Sequence, residues 1–428
     1  MDLSLPVAPL TRRQRTIVLC VALVCAATRF LAMARSLWDW DEALFAMAMR
    51  DYDVSLHHPH PPGFPLYIAM AKLLRFAIPD DFRALQSVSL IAGVLLFPAM
   101  FLLARELRLR FETSLIASTL MAFFPNVWFF GGGAFSDVPS IVLILFAAAF
   151  LLRGGRDRKA YWLGTLLLAV AIGIRPQNLL IGLFPGIYAT RRRPPREVIV
   201  ALLIGVVVVG VAFGGAMYFT GPSEDYVRVV REHADYISRI DSFRSSERPP
   251  LWRIFDRFFI KQYQSPALSV ITSIFVLMSV AGAARDRDRS MLFAAVIFGP
   301  FALFAWLMLD RFSISRFSIG YAPMFAIFAA DGIRRFAEWW AARPSRMMTI
   351  NERRRREMLL EGGLAAALIV SFIAYTLPAL TVVRNEVAPS VQAVRAVAGH
   401  VNPSTDQLFV GHTMSVFVDL LAPRMPYL

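Results

Sequence analysis

Trp38-Asp39-Trp40-Asp41-Glu42-Ala43-Leu44-Phe45-Ala46, and then His57-His58-Pro59-His60-Pro61-Pro62-Gly63-Phe64-Pro65-Leu66-Tyr67, interrupt a chain otherwise built of apolar blocks. Three carboxylates follow directly on an apolar run that ends near Leu37. Carboxylates there cost desolvation free energy unless they are paired or used. On position alone they also suit a solvated helix start, because Asp and Glu favour a helix N-terminus. The sequence on either side is what gives the stretch its meaning.

Outward from it, apolar residues make up 57% of the 428 residues and the mean hydropathy is +0.54. A soluble domain stays near half apolar. The excess lies in long blocks parted by short basic clusters, and about 20 apolar residues cross a bilayer as a helix. Backbone groups in hydrocarbon must pair within the helix, so repeated blocks predict a helical bundle. We expect an all-α polytopic membrane protein of about eleven transmembrane helices. The expected spans are 16–37, 84–104, 112–130, 138–152, 160–174, 177–190, 198–219, 265–284, 290–309, 317–333 and 358–381. Segment 64–78 is apolar but short, and reads as re-entrant or interfacial. Arg12, Arg13 and Arg15 before the first run could mimic a signal peptide, but no small-residue cleavage site follows, so the run reads as an anchor.

Lys+Arg total 45 against 31 Asp+Glu, a net charge of +14. A basic chain can mean nucleic acid; here the basic residues sit in loops between apolar blocks, so no nucleic-acid partner is expected. Clusters at 12–15, 105–110, 153–159, 191–196, 285–289 and 334–356 hold 25 of the 45 basic residues. With the N-terminus in the cytoplasm, all six fall on the cytoplasmic side, as the positive-inside rule requires. The quoted stretch, loop 131–137, Arg175-Pro176, loop 220–264, loop 310–316 and the C-terminal segment then lie outside. The two cysteines, Cys20 and Cys25, share the first apolar block and offer neither a disulfide framework nor a metal spacing.

An Asp-Glu pair after the first span, an aromatic-Ala helix, and then His-Pro-Pro leading into an apolar helix resemble the GT-C membrane glycosyltransferases. The likeness is strongest to the protein O-mannosyltransferase and aminoarabinose-transferase branch, and it covers residues 10–190 best. It implies a GT-C-type bundle over 1–381 with outer-face loops. Residues 382–428 would then be a short or truncated extracytoplasmic segment. Three further strings fit. Phe135-Ser136-Asp137-Val138-Pro139-Ser140 follows Gly131-Gly132-Gly133, and Asp137 matches an acidic position of the family; Ser136 or Asp137 could equally be a plain N-cap. Ile174-Arg175-Pro176-Gln177-Asn178 carries a planar fork suited to phosphate; a structural ion pair with a buried acid is the other reading. Asp310-Arg311-Phe312-Ser313-Ile314-Ser315-Arg316-Phe317 precedes Pro323 and is similar to an Arg-Tyr pair of related enzymes, with Phe in place of Tyr.

The resemblance implies inverting transfer of a sugar from a polyprenyl-phosphate donor to a hydroxyl of a glycan, lipid or protein acceptor at the outer face of the cell membrane. Asp41 and Glu42 are the expected catalytic residues. Asp39, His60, Asp137, Arg175, Gln177 and Arg316 are the expected substrate-binding ones. Asp39 lies two residues before Asp41, so the residues alone leave either as the base; the family pattern favours Asp41. His57, His58 and His60 do not form a recognised zinc spacing, and members of the superfamily differ in metal dependence, so a divalent metal stays open. The competing reading is a transporter or lipid flippase, where intramembrane arginines and broken helices also occur; no internal repeat supports it. Tyr226, Val229, Val230, His233, Ile237 and Ile240 predict an amphipathic helix in loop 220–264. Arg353–Arg356 are expected at membrane lipid head groups. Residues 387–399 read as helix and 406–411 as a turn and strand.

Overall fold

The computed structural model describes residues 6–261, 263, 265–309, 314–343, 349–402, 404–425 and 427. Of the string ahead of Pro323, residues 310–313 lie outside the described residues. In chain order the helices are α1 Arg12–Arg29, α2 Trp40–Arg50, α3 Pro65–Arg75, α4 Asp81–Glu106, α5 Phe111–Phe123, α6 Pro125–Phe130 and α7 Asp137–Gly154. Then come α8 Arg158–Ile174, α9 Asn178–Thr190, α10 Pro195–Thr220, α11 Ser223–Tyr236, α12 Leu251–Phe255, α13 Pro266–Asp286 and α14 Arg289–Met308. The last are α15 Ile314–Phe317, α16 Ala322–Ala341, α17 Ile350–Asn385, α18 Pro389–Ala398 and α19 His412–Leu421.

Among the described residues seven helices, α1, α4, α7, α10, α13, α14 and α17, are long and apolar enough to cross a membrane. The expected count of eleven therefore depends on α5, α8, α9 and α16, which are shorter or, in α16, carry Asp331, Arg334, Arg335 and Glu338 near one end. The expected span 112–130 is broken at Phe124-Pro125 into α5 and α6, because proline lacks the N–H that would continue the helix. Segment 64–78 forms α3, about 17 Å long and too short to span. It packs on α4 and α8 through buried Tyr67, Ile68 and Ala71. No strand forms at 406–411; only an isolated bridge pairs Leu408 with Tyr427.

The core follows from the apolar blocks. α7 packs along α4 and α8, and α16 along α5 and α13. Gly332 lets α16 meet the backbone of α13, where any Cβ would run into the Phe275 carbonyl. α10 is the opposite case: Leu202, Val206 and Val211 are more than half exposed on an apolar helix, the mark of a lipid-facing surface. A second core sits at one end of the bundle. There α2, α3 and the start of α4 pack with α18 and α19 through Phe45, Tyr67, Leu85, Val391 and Phe417. The basic clusters lie toward the opposite end, where Glu106 pairs with Arg153 and Arg156 and Asp331 with Arg334 and Arg335.

Candidate active site

The site is built on the start of α2. Asp39 is its N-cap, and Oδ1 accepts from the Asp41 amide at 2.9 Å. Glu42 completes the capping box: Oε2 accepts from the amides of Trp38 at 2.6 Å and Asp39 at 3.1 Å. Its other oxygen, Oε1, accepts from the Ala134 amide at 2.6 Å, which ties α2 to the glycine loop. The loop must be glycine there. A Cβ on Gly133 would stand 2.6 Å from Glu42 Oε1, and one on Gly132 would strike the Ala32 carbonyl. Gln86 fastens the same loop by donating to the Gly132 and Ala34 carbonyls.

This geometry turns Asp41 toward Arg316, whose Nη2 lies 2.5 Å from Asp41 Oδ2. The guanidinium also faces Asp39 Oδ1 at 3.6 Å and Asp137 Oδ2 at 4.0 Å. Asp137 opens α7 and receives Arg175 Nη2 at 2.8 Å, while Arg175 Nε donates to Ser136 Oγ at 2.9 Å. Ser136 is the N-cap of α7 by position, as read from the sequence, but its hydroxyl makes no cap bond and accepts from Arg175 instead. Asn178 secures the break after α8 by donating to the Ala171 carbonyl and to Ser140 Oγ. Gln177 lines a small niche with Asp137, Arg175, Asn178 and Phe317. Three carboxylates and two guanidiniums thus share one cluster, buried at Asp137, Arg175 and Arg316 and open to solvent at Asp39, drawn from α2, α7, the α8–α9 break and α15.

His60 stands beside it. Its ring lies against Phe64 at 4.7 Å and Phe45 at 5.9 Å, and Nδ1 is 3.7 Å from Asp41 Oδ1. The loop that delivers it is held by Tyr52 Oη donating to the Gly63 carbonyl and Tyr226 Oη, from α11, donating to that of Pro62. Gly63 sits at φ +104°, a backbone state that side chains resist. The predicted amphipathic helix is α11 and, with Tyr226 and Val229 buried, it covers this loop.

Electrostatics sort the acids. Burial alone would raise Asp41, but Arg316 and His60 overcome it and hold the carboxyl down at about 2. Burial pushes Glu42 up to about 7, against the Ala134 and Trp38 amides that favour its ionised form. Burial likewise pushes His60 down to about 4, with Asp41 opposing and Arg316 assisting. Near neutral pH, Asp41 is therefore a carboxylate and His60 a neutral imidazole. Several buried donors here have no acceptor among the described residues: Arg316 Nε and Nη1, and the indole Nε1 of Trp38 and Trp40. Unsatisfied buried donors are costly, and together they suit a ligand rich in acceptor oxygens. A divalent cation does not fit this arrangement, because a guanidinium fills the space between the carboxylates; no metal-holding group of three occurs among the described residues.

All eight expected site residues thus fall in one region. Ser136, the Ala134 amide and His233, whose ring lies 6.4 Å from His60, complete it and were not expected there. His233 carries no sequence signal beyond its place in the amphipathic pattern.

Folded this way, the chain has the membrane fold of the GT-C glycosyltransferases. It is similar to the oligosaccharyltransferase AglB of Archaeoglobus fulgidus, solved with an inhibitory peptide and dolichol-phosphate, at TM-score 0.57 and 13% identity, covering 97% of this chain. The chain spans 65% of that protein's length. It is similar to ArnT of Cupriavidus metallidurans, solved with undecaprenyl phosphate, at TM-score 0.56 and 14% identity over 96% of this chain and 89% of that one. A mycobacterial arabinofuranosyltransferase, AftD, matches 95% of this chain and 30% of its own at TM-score 0.53 and 15% identity. No protein-family model and no curated protein matches the sequence.

Proposed function

We propose that the protein is an inverting glycosyltransferase that moves a sugar from a polyprenyl-phosphate donor to an acceptor hydroxyl at the outer face of the cell membrane. The observation that carries this reading is Arg316, buried among Asp39, Asp41 and Asp137 with two of its donors unused. A phosphate oxygen satisfies those donors better than carboxylates at 3.6 and 4.0 Å do. The neighbours solved with dolichol-phosphate and undecaprenyl phosphate support a lipid-linked donor.

In this mechanism an Asp41 carboxylate oxygen takes the proton of the acceptor hydroxyl. The freed oxygen attacks the anomeric carbon from the face opposite the phosphate. The bond from that carbon to the phosphate oxygen breaks, and its electron pair leaves with the phosphate. Arg316 and Arg175 stabilise the charge that develops there. Asp41 is tied to Arg316 in the free protein, so a phosphate that draws the guanidinium away also restores the basicity of Asp41. Glu42 touches only backbone amides and acts by fixing α2 and the glycine loop. Asp137 holds Arg175 in place. Asp39, His60 and Gln177 line the space for sugar and acceptor.

Purified protein incubated with a panel of radiolabelled polyprenyl-phosphate sugars tests the reading. Transfer to an acceptor or release of sugar from the donor is expected, and Asp41→Asn should lower it roughly 10²–10⁴-fold. Full activity in Asp41→Asn removes the assigned base. Uptake of solute into vesicles without any sugar release would instead establish a transporter.

A further inference from the structure

Five of the chain's six histidines collect at the mouth of the site, although they are far apart in sequence. His57, His58 and His60 lie in the loop before α3. His233 comes from α11, with its ring 6.4 Å from His60. His412 opens α19 and meets the Trp40 ring edge-on at 5.1 Å. Burial lowers His57 with His412 acting on it, and lowers His233 with His57 acting on it.

A base mostly screened from solvent, as Asp41 is with its side chain 18% exposed, must lose the proton it has taken before the next turnover. The groups touching Asp41 offer little help. Arg316 has donors only, and Asp39 turns Oδ1 to the Asp41 amide, with no hydrogen bond between the two carboxylates among the described residues. His60 supplies what is missing. Its Nδ1 is buried, has no hydrogen-bond partner among the described residues, and lies 3.7 Å from Asp41 Oδ1. Phe45 and Phe64 keep the ring in that slot. Half-buried His233 stands next to it, the ring centroids 6.4 Å apart.

We propose that His60 and His233 form the exit path for the proton that Asp41 removes from the acceptor hydroxyl, an inference that rests on Asp41 being the base. The proton leaves Asp41 Oδ1 for the lone pair on His60 Nδ1, the ring being in its Nε2–H tautomer. The imidazolium then releases the Nε2 proton through water to His233 and on to solvent. Exchange with water restores the starting tautomer. No net charge is left behind, and no further reactant is needed. The charges facing His60 come from Asp41 on α2, Arg316 before α16, Arg175 at the α8–α9 break and His233 on α11. Their balance leaves His60 at about 4 and Asp41 at about 2. Once the phosphate has left and Arg316 pairs with Asp41 again, the proton runs downhill from acid to imidazole, and from imidazole to neutral water.

The test uses the full chain and whichever radiolabelled polyprenyl-phosphate sugar it transfers. His60→Ala should lower kcat roughly 10²-fold and recover on addition of free imidazole. His233→Gln, at a half-buried surface position, should lower kcat about 10-fold and enlarge the solvent deuterium isotope effect. Should His60→Ala fold poorly, His60→Asn keeps a polar group in the aromatic slot without a basic nitrogen, and the same loss is expected. Unchanged kcat in these variants, or a loss in folded His60→Ala that imidazole does not restore, overturns the path. Inactive Asp41→Asn beside fully active His60→Ala overturns the path and leaves the base in place. Full activity in Asp41→Asn overturns the base itself.

Discussion

Arg316 and Asp41 carry the proposed chemistry at the scale of single residues. A guanidinium that neutralises the proposed base in the free protein also faces the place where phosphate charge would develop in that reaction, so its shape matters as much as its sign. Arg316→Lys keeps one charge but loses the planar fork. It should reduce kcat about 10²–10³-fold, the range for loss of a group that stabilises developing charge, as read by steady-state transfer. Glu42 is the contrasting acid. Both its oxygens accept from backbone amides, so Glu42→Gln must aim an NH2 group at an amide N–H. A cost of about 1–3 kcal/mol is expected for the donor left unpaired, visible in thermal unfolding in detergent. The sign of the pH effect also separates the two acids. Glu42 is raised from 4.5 to about 7, so its share of stability is present below 4.5 and lost as pH rises through 7. Asp41 is lowered from 3.8 to about 2, so its share is present above 3.8 and lost as pH falls through 2. From pH 4 to 8 the falling share of Glu42 runs against a rising share from His60, lowered from 6.5 to about 4, so stability followed by unfolding should climb more steeply with pH in Glu42→Gln than in the parent, and Asp41→Asn should not remove the falling share.

The element scale shows why some of this could be read in advance. Asp41, Asp137, Arg175 and Arg316 each stand out as charge beside an apolar block, and each marks a helix end. What the sequence withholds is which ends meet. The contact of Arg316 with Asp41 is tertiary, and no local spacing encodes it. The capping role of Glu42 was legible in principle from Asp39 three residues earlier, but its bond to the Ala134 amide was not. The same holds for Ser136, whose position suggested a cap until Arg175 claimed its hydroxyl. α2 itself is fixed at both ends. Its N-terminus hangs on the glycine loop, and at its C-terminus Asp81 receives Arg50 at 2.7 Å and Arg75 at 3.0 Å, joining α2, α3 and α4. Gly133→Ala strikes the first fastening. The carboxylate it meets cannot swing aside without losing the hydrogen bonds it accepts from backbone amides, so about 1–3 kcal/mol of overpacking is expected. Transfer activity should fall with stability, and a Gly133→Ala protein as stable and active as the parent would show that the loop yields.

At the scale of the whole molecule, the fold survives at 13–15% identity to its structural neighbours because a few coarse features specify it. Apolar blocks set the helices, and helix ends carry the charges. Charge also gives the bundle a direction: the acidic cluster and the C-terminal helices gather at one end, and the basic clusters lie toward the other. If the positive-inside rule holds for this chain, the acidic end faces out, and donor and acceptor must meet there. That orientation is open to direct measurement. The native thiols interfere little, since Cys25 is buried and Cys20 lies within α1, an apolar span. With both changed to serine, single cysteines at exposed Asp235 on α11 and exposed Arg285 at the end of α13 sample the two faces. A membrane-impermeant maleimide applied to intact cells should label Asp235→Cys. It should reach Arg285→Cys only after the membrane is opened. The reverse pattern would turn the bundle over and place the acidic cluster among cytoplasmic substrates. The fold and the grouping of Asp41, Asp137, Arg175 and Arg316 would stand, and an outer-face transfer reaction would not.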